Sequence, residues 1–275
     1  MTKREEDPVE RTAQVAGTEL RFVEGGRGPS LLVLHEELGY PGWMTWNGAL
    51  AGRRKLFIPH HPGWGRTERL EWMRSVRDLA GFYARVLRER GEGPVDVIGF
   101  SLGGWIAAEM VACDPKLVRR LVLVAPMGLR PVEGEIMDVL SISVRSFLRR
   151  SVADAETTPE FLAIYGGEMT PERFELFEDA RTETARLCWE PYMHNPSLGP
   201  LLEGVRGLPT LLVWGDRDRI VPFGAIEAYR KALPEAHLAR IEGAGHRPEI
   251  ERPNEFVAAV QSFLLDEQGK QGSRS

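Results

Sequence analysis

The chain has 275 residues, 43% hydrophobic and 27% charged, and 35 Lys and Arg against 40 Asp and Glu give a net charge of −5 at pH 7. That balance suits one large domain, or two small ones, with a core that needs no disulfide or metal. It argues against nucleic acid as a partner, because phosphate binding needs clustered Lys and Arg, and no stretch reaches the ~20 apolar residues of a membrane helix.

The first residues, Met-Thr-Lys-Arg-Glu-Glu-Asp, lack the apolar core of a signal peptide. Cys113, expected in a buried helix, and Cys188 are too few for a disulfide framework. Both read as reduced thiols of a cytoplasmic protein. The polar stretches 2–7 and 268–275 have nothing to bury and are expected to be disordered. No signal for an oligomeric state stands out.

In chain order, residues 14–15 and 19–23 flank Ala16-Gly17-Thr18 and predict an antiparallel hairpin at a sheet edge. Apolar runs follow at 31–34, 55–58, 95–99, 121–124, 210–214 and 237–241. Most are rich in Val, Ile or Leu with little polar alternation, as strands buried on both faces require. Amphipathic stretches at 76–90, 102–113, 225–233 and 254–265 predict helices between them, the last capped by Asn254. The rhythm is that of an α/β fold, a mostly parallel sheet with helices on both faces. It breaks between 131 and 206, where helical patterns at 136–149, 159–165 and 171–188 come without a strand. A helical lid is expected there, inserted into a core of residues 1–130 and 207–267.

Ser101 sits in Gly99-Phe100-Ser101-Leu102-Gly103-Gly104, where a predicted strand turns sharply into a predicted helix. Glycines on both sides let the backbone take a strained conformation at the serine. The helix N-terminus then favours negative charge developing beside it. These are the features of a nucleophile elbow. A serine hydroxyl needs a base, and the base needs a third group to fix its tautomer. Asp216 and Asp218 compete for that third role in the loop after 210–214, and Asp218, midway between Trp214 and Pro222, fits better. His246 follows Gly243-Ala244-Gly245 after the last strand and is the candidate base.

Together these residues resemble the α/β-hydrolase superfamily, from about Thr12 to Leu265. Gly99–Gly103 is similar to its elbow, Gly215 to Pro222 to its acid loop, and Gly245-His246 to its histidine loop. The resemblance implies an eight-stranded sheet with the lid after the sixth strand, and no metal or organic cofactor. It also implies an oxyanion hole made by the backbone N–H groups of Glu37 and Leu102.

Two features depart from the family. Its usual His-Gly after the third strand is here His35-Glu36-Glu37, two carboxylates beside a site meant for an anion. Either one ties the loop to an Arg or a backbone group, or one lines the pocket and selects against anionic substrates. His60-His61 replaces the family's Asp-x after the fourth strand and reads as part of a turn rather than a metal site. Besides His35 and Glu36, the candidate pocket residues are Trp43, Trp46 and Trp189. A small-molecule substrate is expected, best a neutral, largely apolar ester, lactone or thioester. Alternatives are a carbon–carbon bond hydrolase of the same superfamily and a ligand-binding scaffold without turnover.

Overall fold

In the computed structural model, residues 8–265 are described, so the stretches 2–7 and 268–275 expected to be disordered lie outside the described residues. The edge hairpin is longer than its apolar residues suggest. Strands β1 (Val9–Val15) and β2 (Thr18–Gly25) pair antiparallel from Val15↔Thr18 out to Val9↔Glu24. Positive φ at Ala16 (53°) and Gly17 (82°) closes the tight turn in the twist a hairpin needs. β1 is largely exposed, which is why its apolar signal is faint.

The remaining strands are β3 (Ser30–Leu34), β4 (Lys55–Pro59), β5 (Val95–Phe100), β6 (Val118–Val124), β7 (Thr210–Gly215) and β8 (His237–Ile241). All join one 8-stranded sheet in the order β1-β2-β4-β3-β5-β6-β7-β8, parallel from β4 onward. β5 is buried along its whole length, so the sheet is covered on both faces.

Helices α1 (Thr45–Ala51), α2 (Val76–Glu89), α3 (Leu102–Cys113), α8 (Ala225–Ala232), α9 (Pro248–Glu251) and α10 (Pro253–Leu265) belong to the core. α1 packs on α10, and α2 on α3. α2 starts in a capping box, with Ser75 Oγ accepting from the Asp78 N–H (3.2 Å) and the Asp78 carboxylate from the Ser75 N–H (3.0 Å). Pro253 takes the first position of α10, where its missing N–H costs nothing, so Asn254 lies inside the helix instead of capping it. α3 is buried from Leu102 to Val111, but Cys113 at its last turn is exposed, contrary to expectation, while Cys188 is buried.

Between β6 and β7 run α4 (Val144–Arg150), α5 (Pro159–Tyr165), α6 (Pro171–Leu187) and α7 (Leu198–Leu202). The helix expected from 136 begins only at Val144. Before it, Asp138 Oδ1 accepts from the Leu140 N–H (2.7 Å) and Asp138 O from Ser141 Oγ (2.7 Å), local bonds that compete with helix formation. Phe147, Phe161 and Leu187 of this insert are buried in the common core.

β3 has β4 on one side and β5 on the other, so the chain leaves it in opposite directions along the sheet. In parallel sheets the crevice at such a switch point, beyond the carboxyl ends of the strands, is where ligands bind. The loops after β3, β5, β7 and β8 all open there.

Candidate active site

Ser101 links β5 to α3 with φ 49° and ψ −109°, a left-handed backbone that non-glycine residues rarely adopt. The strain is held by bonds on either side. Its N–H donates to Val124 O (2.9 Å), and its carbonyl accepts from Trp105 and Met127 (3.1 Å each). A side chain at Gly103 would run into the carbonyl oxygen of Leu34, so a glycine lets the helix start sit directly on the end of β3. Ser101 is 2% exposed, and its Oγ has no hydrogen-bond partner.

The loops after β7 and β8 are pressed together in a similar way, since a Cβ on Gly215 would collide with Gly245 O. Between them, His246 Nδ1 donates to Asp218 Oδ2 at 2.8 Å. Asp218 Oδ1 accepts from the N–H groups of Ile220 (2.8 Å) and Val221 (3.0 Å), which fixes the carboxylate's direction. Asp216 has different work, accepting from the Gly243 N–H (2.8 Å) and pairing with Arg240 (3.1 Å). With Nδ1 committed to Asp218, Nε2 is the nitrogen left to take up or give a proton. It is buried and without a partner, as is the Ser101 hydroxyl, so the two are not bonded to each other. Burial pushes the imidazole down, but the charge and hydrogen bond of Asp218, with Glu37 and Glu36, raise its pKa to about 9.

The loop after β3 is built on histidines. His35 Nδ1 donates to Glu36 O (2.7 Å), its Nε2 accepts from the His61 N–H (3.1 Å), and the two rings stack with centroids 3.6 Å apart. His61 in turn bonds the Tyr83 hydroxyl (2.5 Å) and His35 O (3.2 Å). Burial lowers the pKa of both rings, that of His61 to about 3, so they stay neutral. His35 is thus 3% exposed and supports the loop from within. Among the described residues, no three His, Cys, Asp or Glu side chains gather as a metal site requires.

Glu36 pairs with Arg247 at 2.9 Å, and Arg247 also holds Glu249 (2.9 Å) and donates to the Tyr165 hydroxyl from α5. The arginine that the sequence leaves unnamed as a partner for this loop is thus Arg247, which directly follows His246. Glu37 points elsewhere. It is 0% exposed, and neither carboxylate oxygen has a partner. Its carbonyl accepts from Trp64 Nε1 and from Thr184 Oγ1 of α6, both at 2.8 Å. Leu102, the other expected oxyanion donor, is the first residue of α3, and its N–H therefore has no acceptor within the helix.

The tryptophans expected in the pocket are elsewhere. Trp46 lies on α1, 1% exposed, and packs on Phe100 (5.0 Å) and Phe256 (5.9 Å), so it is core. The Trp43 ring lies against Gly25, which pairs with Leu56 near the start of β4, at the sheet edge away from Ser101. Trp189 is 66% exposed and meets Tyr192 edge-to-face. A cavity of about 440 Å³ between the β3 loop and the insert is lined instead by Leu38, Tyr40, His60, Tyr165, Arg173 and Phe177, among others. Ser101 and His246 are not among its walls.

Residues 31–260 match the profile of the alpha/beta hydrolase family. The chain belongs to that family. Among alpha/beta hydrolases and other curated proteins it is 25% identical to pyrrolizixenacetamide deacetylase of Xenorhabdus hominickii, over 92% of this chain and 97% of that one. It is 27% identical to the pimeloyl-[acyl-carrier protein] methyl ester esterase of Aeromonas hydrophila, over 87% and 96%. A solved meta-cleavage product hydrolase superposes with a TM-score of 0.77 at 19% identity, over 93% and 98% of the chains, which shows the shared fold. No helix among the described residues is long and apolar enough to cross a membrane.

Proposed function

We propose that this hydrolase cleaves a neutral, largely apolar ester, lactone or thioester through an acyl-serine intermediate. The carrying observation is the bond from His246 Nδ1 to Asp218, with Nε2 and the strained Ser101 hydroxyl both buried and unpartnered. In this reading His246 Nε2 takes the proton of Ser101 as Oγ bonds to the carbonyl carbon. The N–H groups of Glu37 and Leu102 receive the oxyanion, and His246 passes its proton to the leaving group. Water, activated by the same imidazole, then releases the acid. Serine and imidazole are not yet hydrogen-bonded, a common state before substrate closes such sites.

Helices α4 to α7 act as the lid. Thr184 bonds Glu37 O, and Tyr165 reaches Arg247, so the insert touches both the loop after β3 and the residue beside His246. The esterase and deacetylase relatives support acyl transfer to water. A carbon–carbon bond hydrolase would use the same three residues, and only substrates separate the readings.

A serine-directed fluorophosphonate tests the proposal. Wild type labels at Ser101 and Ser101→Ala does not, while a folded wild type that fails to label is a binding scaffold. Chromogenic esters of graded chain length, assayed beside lactones and ring-fission diketones, then fix the bond cleaved.

A further inference from the structure

Among the described residues, buried carboxylates other than Asp218, which bonds His246, follow a rule. Asp96 pairs with Arg119 and Arg54, Glu109 with Arg77, Glu183 with Arg69 and Arg186, and Glu36 and Glu249 share Arg247. Each is nine-tenths buried or more, and each has at least one guanidinium. Glu37 breaks the rule, being wholly buried with neither oxygen bonded. Buried polar groups in native proteins nearly always find partners, and a lasting exception asks what completes it.

Two observations locate the missing partner. The Glu37 carboxylate raises the pKa of His246 on one side and, with burial as the larger cause, that of Cys188 at the end of α6 on the other. Its backbone stands between Glu36, tied to Arg247 beside His246, and Leu38, which lines the cavity under the insert, with Thr184 of α6 on its carbonyl. His246 Nε2 and the Ser101 hydroxyl, at the same sheet edge, are likewise buried and unpartnered. The loop cannot readily turn the side chain out, because Trp64 and Thr184 hold the Glu37 carbonyl from two sides. The cations of the site are engaged elsewhere. His246 bonds Asp218, and Arg247 pairs with Glu36 and Glu249.

We propose that the Glu37 carboxylate is a specificity-determining group that binds an ammonium on the substrate, close to the scissile carbonyl. The inference rests on the hydrolase reading and narrows its substrate class to amine-bearing esters or amides. An ammonium supplies both the charge and the N–H donors that arginine gives Asp96, Glu109, Glu183, Glu36 and Glu249. A neutral substrate leaves Glu37 unpaired, and an anionic one adds repulsion.

Three small esters of matched length test this: the methyl esters of β-alanine (cationic) and butanoic acid (neutral), and monomethyl succinate (anionic). Wild type should favour the β-alanine ester over the butanoate by about tenfold or more in kcat/KM, with the succinate slowest. In Glu37→Gln the cationic-to-neutral ratio should fall by about tenfold, and Glu37→Asp should restore part of it. Using the ratio removes any change at the Glu37 N–H, which affects all three esters alike. A second arm needs no turnover: calorimetric binding of β-alaninamide and butanamide to wild type and Glu37→Gln should give the same ordering. Equal ratios in wild type and Glu37→Gln overturn the proposal. So does a wild type without cation preference in both arms, even if the variant does not fold. A wild type that turns over no ester but still binds β-alaninamide through Glu37 overturns the hydrolase reading alone.

Discussion

Arg247, the residue after His246, holds Glu36 of the loop after β3 in a buried ion pair at 2.9 Å. The pair ties the two loops that flank the reaction space and is closed over by Tyr165 of the insert. Removing one member of a buried pair leaves the other charged and unpaired, which typically costs about 3–5 kcal/mol. Arg247→Met strands both Glu36 and Glu249 and should lose that much in urea denaturation. Glu36→Gln should cost clearly less, because Glu249 and Tyr165 still engage the guanidinium.

The acid and its neighbour should separate sharply. Asp218→Asn keeps the shape but offers Nδ1 the wrong partner, and should lower kcat by on the order of 10⁴. Asp216→Asn touches only Gly243 and Arg240 and should change kcat by less than about threefold. Steady-state kinetics on one chromogenic ester compare the two, and similar losses would contradict the assignment of Asp218.

A base must be neutral to act, and His246 is held protonated up to about pH 9 by Asp218, Glu37 and Glu36. Its folded pKa lies above the ordinary 6.5, so the acid limb of kcat/KM should rise with pH and level off near 9. Glu37→Gln removes one of the charges that raise it, and the limb should move to lower pH. The same sign applies to stability: the stabilisation from His246⁺ is complete below pH 6.5 and is lost as pH rises towards about 9.

Trp46 and Trp189 should behave oppositely when truncated. Trp46 fills the space between Phe100 and Phe256, and Trp46→Ala should cost about 3–5 kcal/mol. Trp189 stands in solvent, and Trp189→Ala should stay within about 0.5 kcal/mol. Thermal melts of the two variants measure both.

What was legible in the sequence follows from how local its cause is. Strands such as β5 and β7 show as unbroken apolar runs because both their faces are buried. β1 is exposed along most of its length and leaves no such run. α1 is a single short stretch through Gly48, fixed by Asn47 accepting from the Met44 N–H at 2.8 Å, and its weak pattern made Trp46 look like a pocket residue. Ser101, Asp218 and His246 each stand beside a strand end in a glycine-marked loop, so each is visible by itself. The Glu36–Arg247–Tyr165 cluster is not, because its members lie on three distant segments with no shared pattern. Only the folded sheet edge brings them together.

The two donors on the Glu37 carbonyl come from different parts of the chain, Trp64 from the turn after β4 and Thr184 from the insert. Replacing helices α4 to α7 with those of another relative, as a way to retarget the enzyme, would take away one of the two pegs under that peptide. A graft carrying a hydroxyl at the position of Thr184 keeps the peg. One carrying valine there delivers a new pocket over a loosened floor.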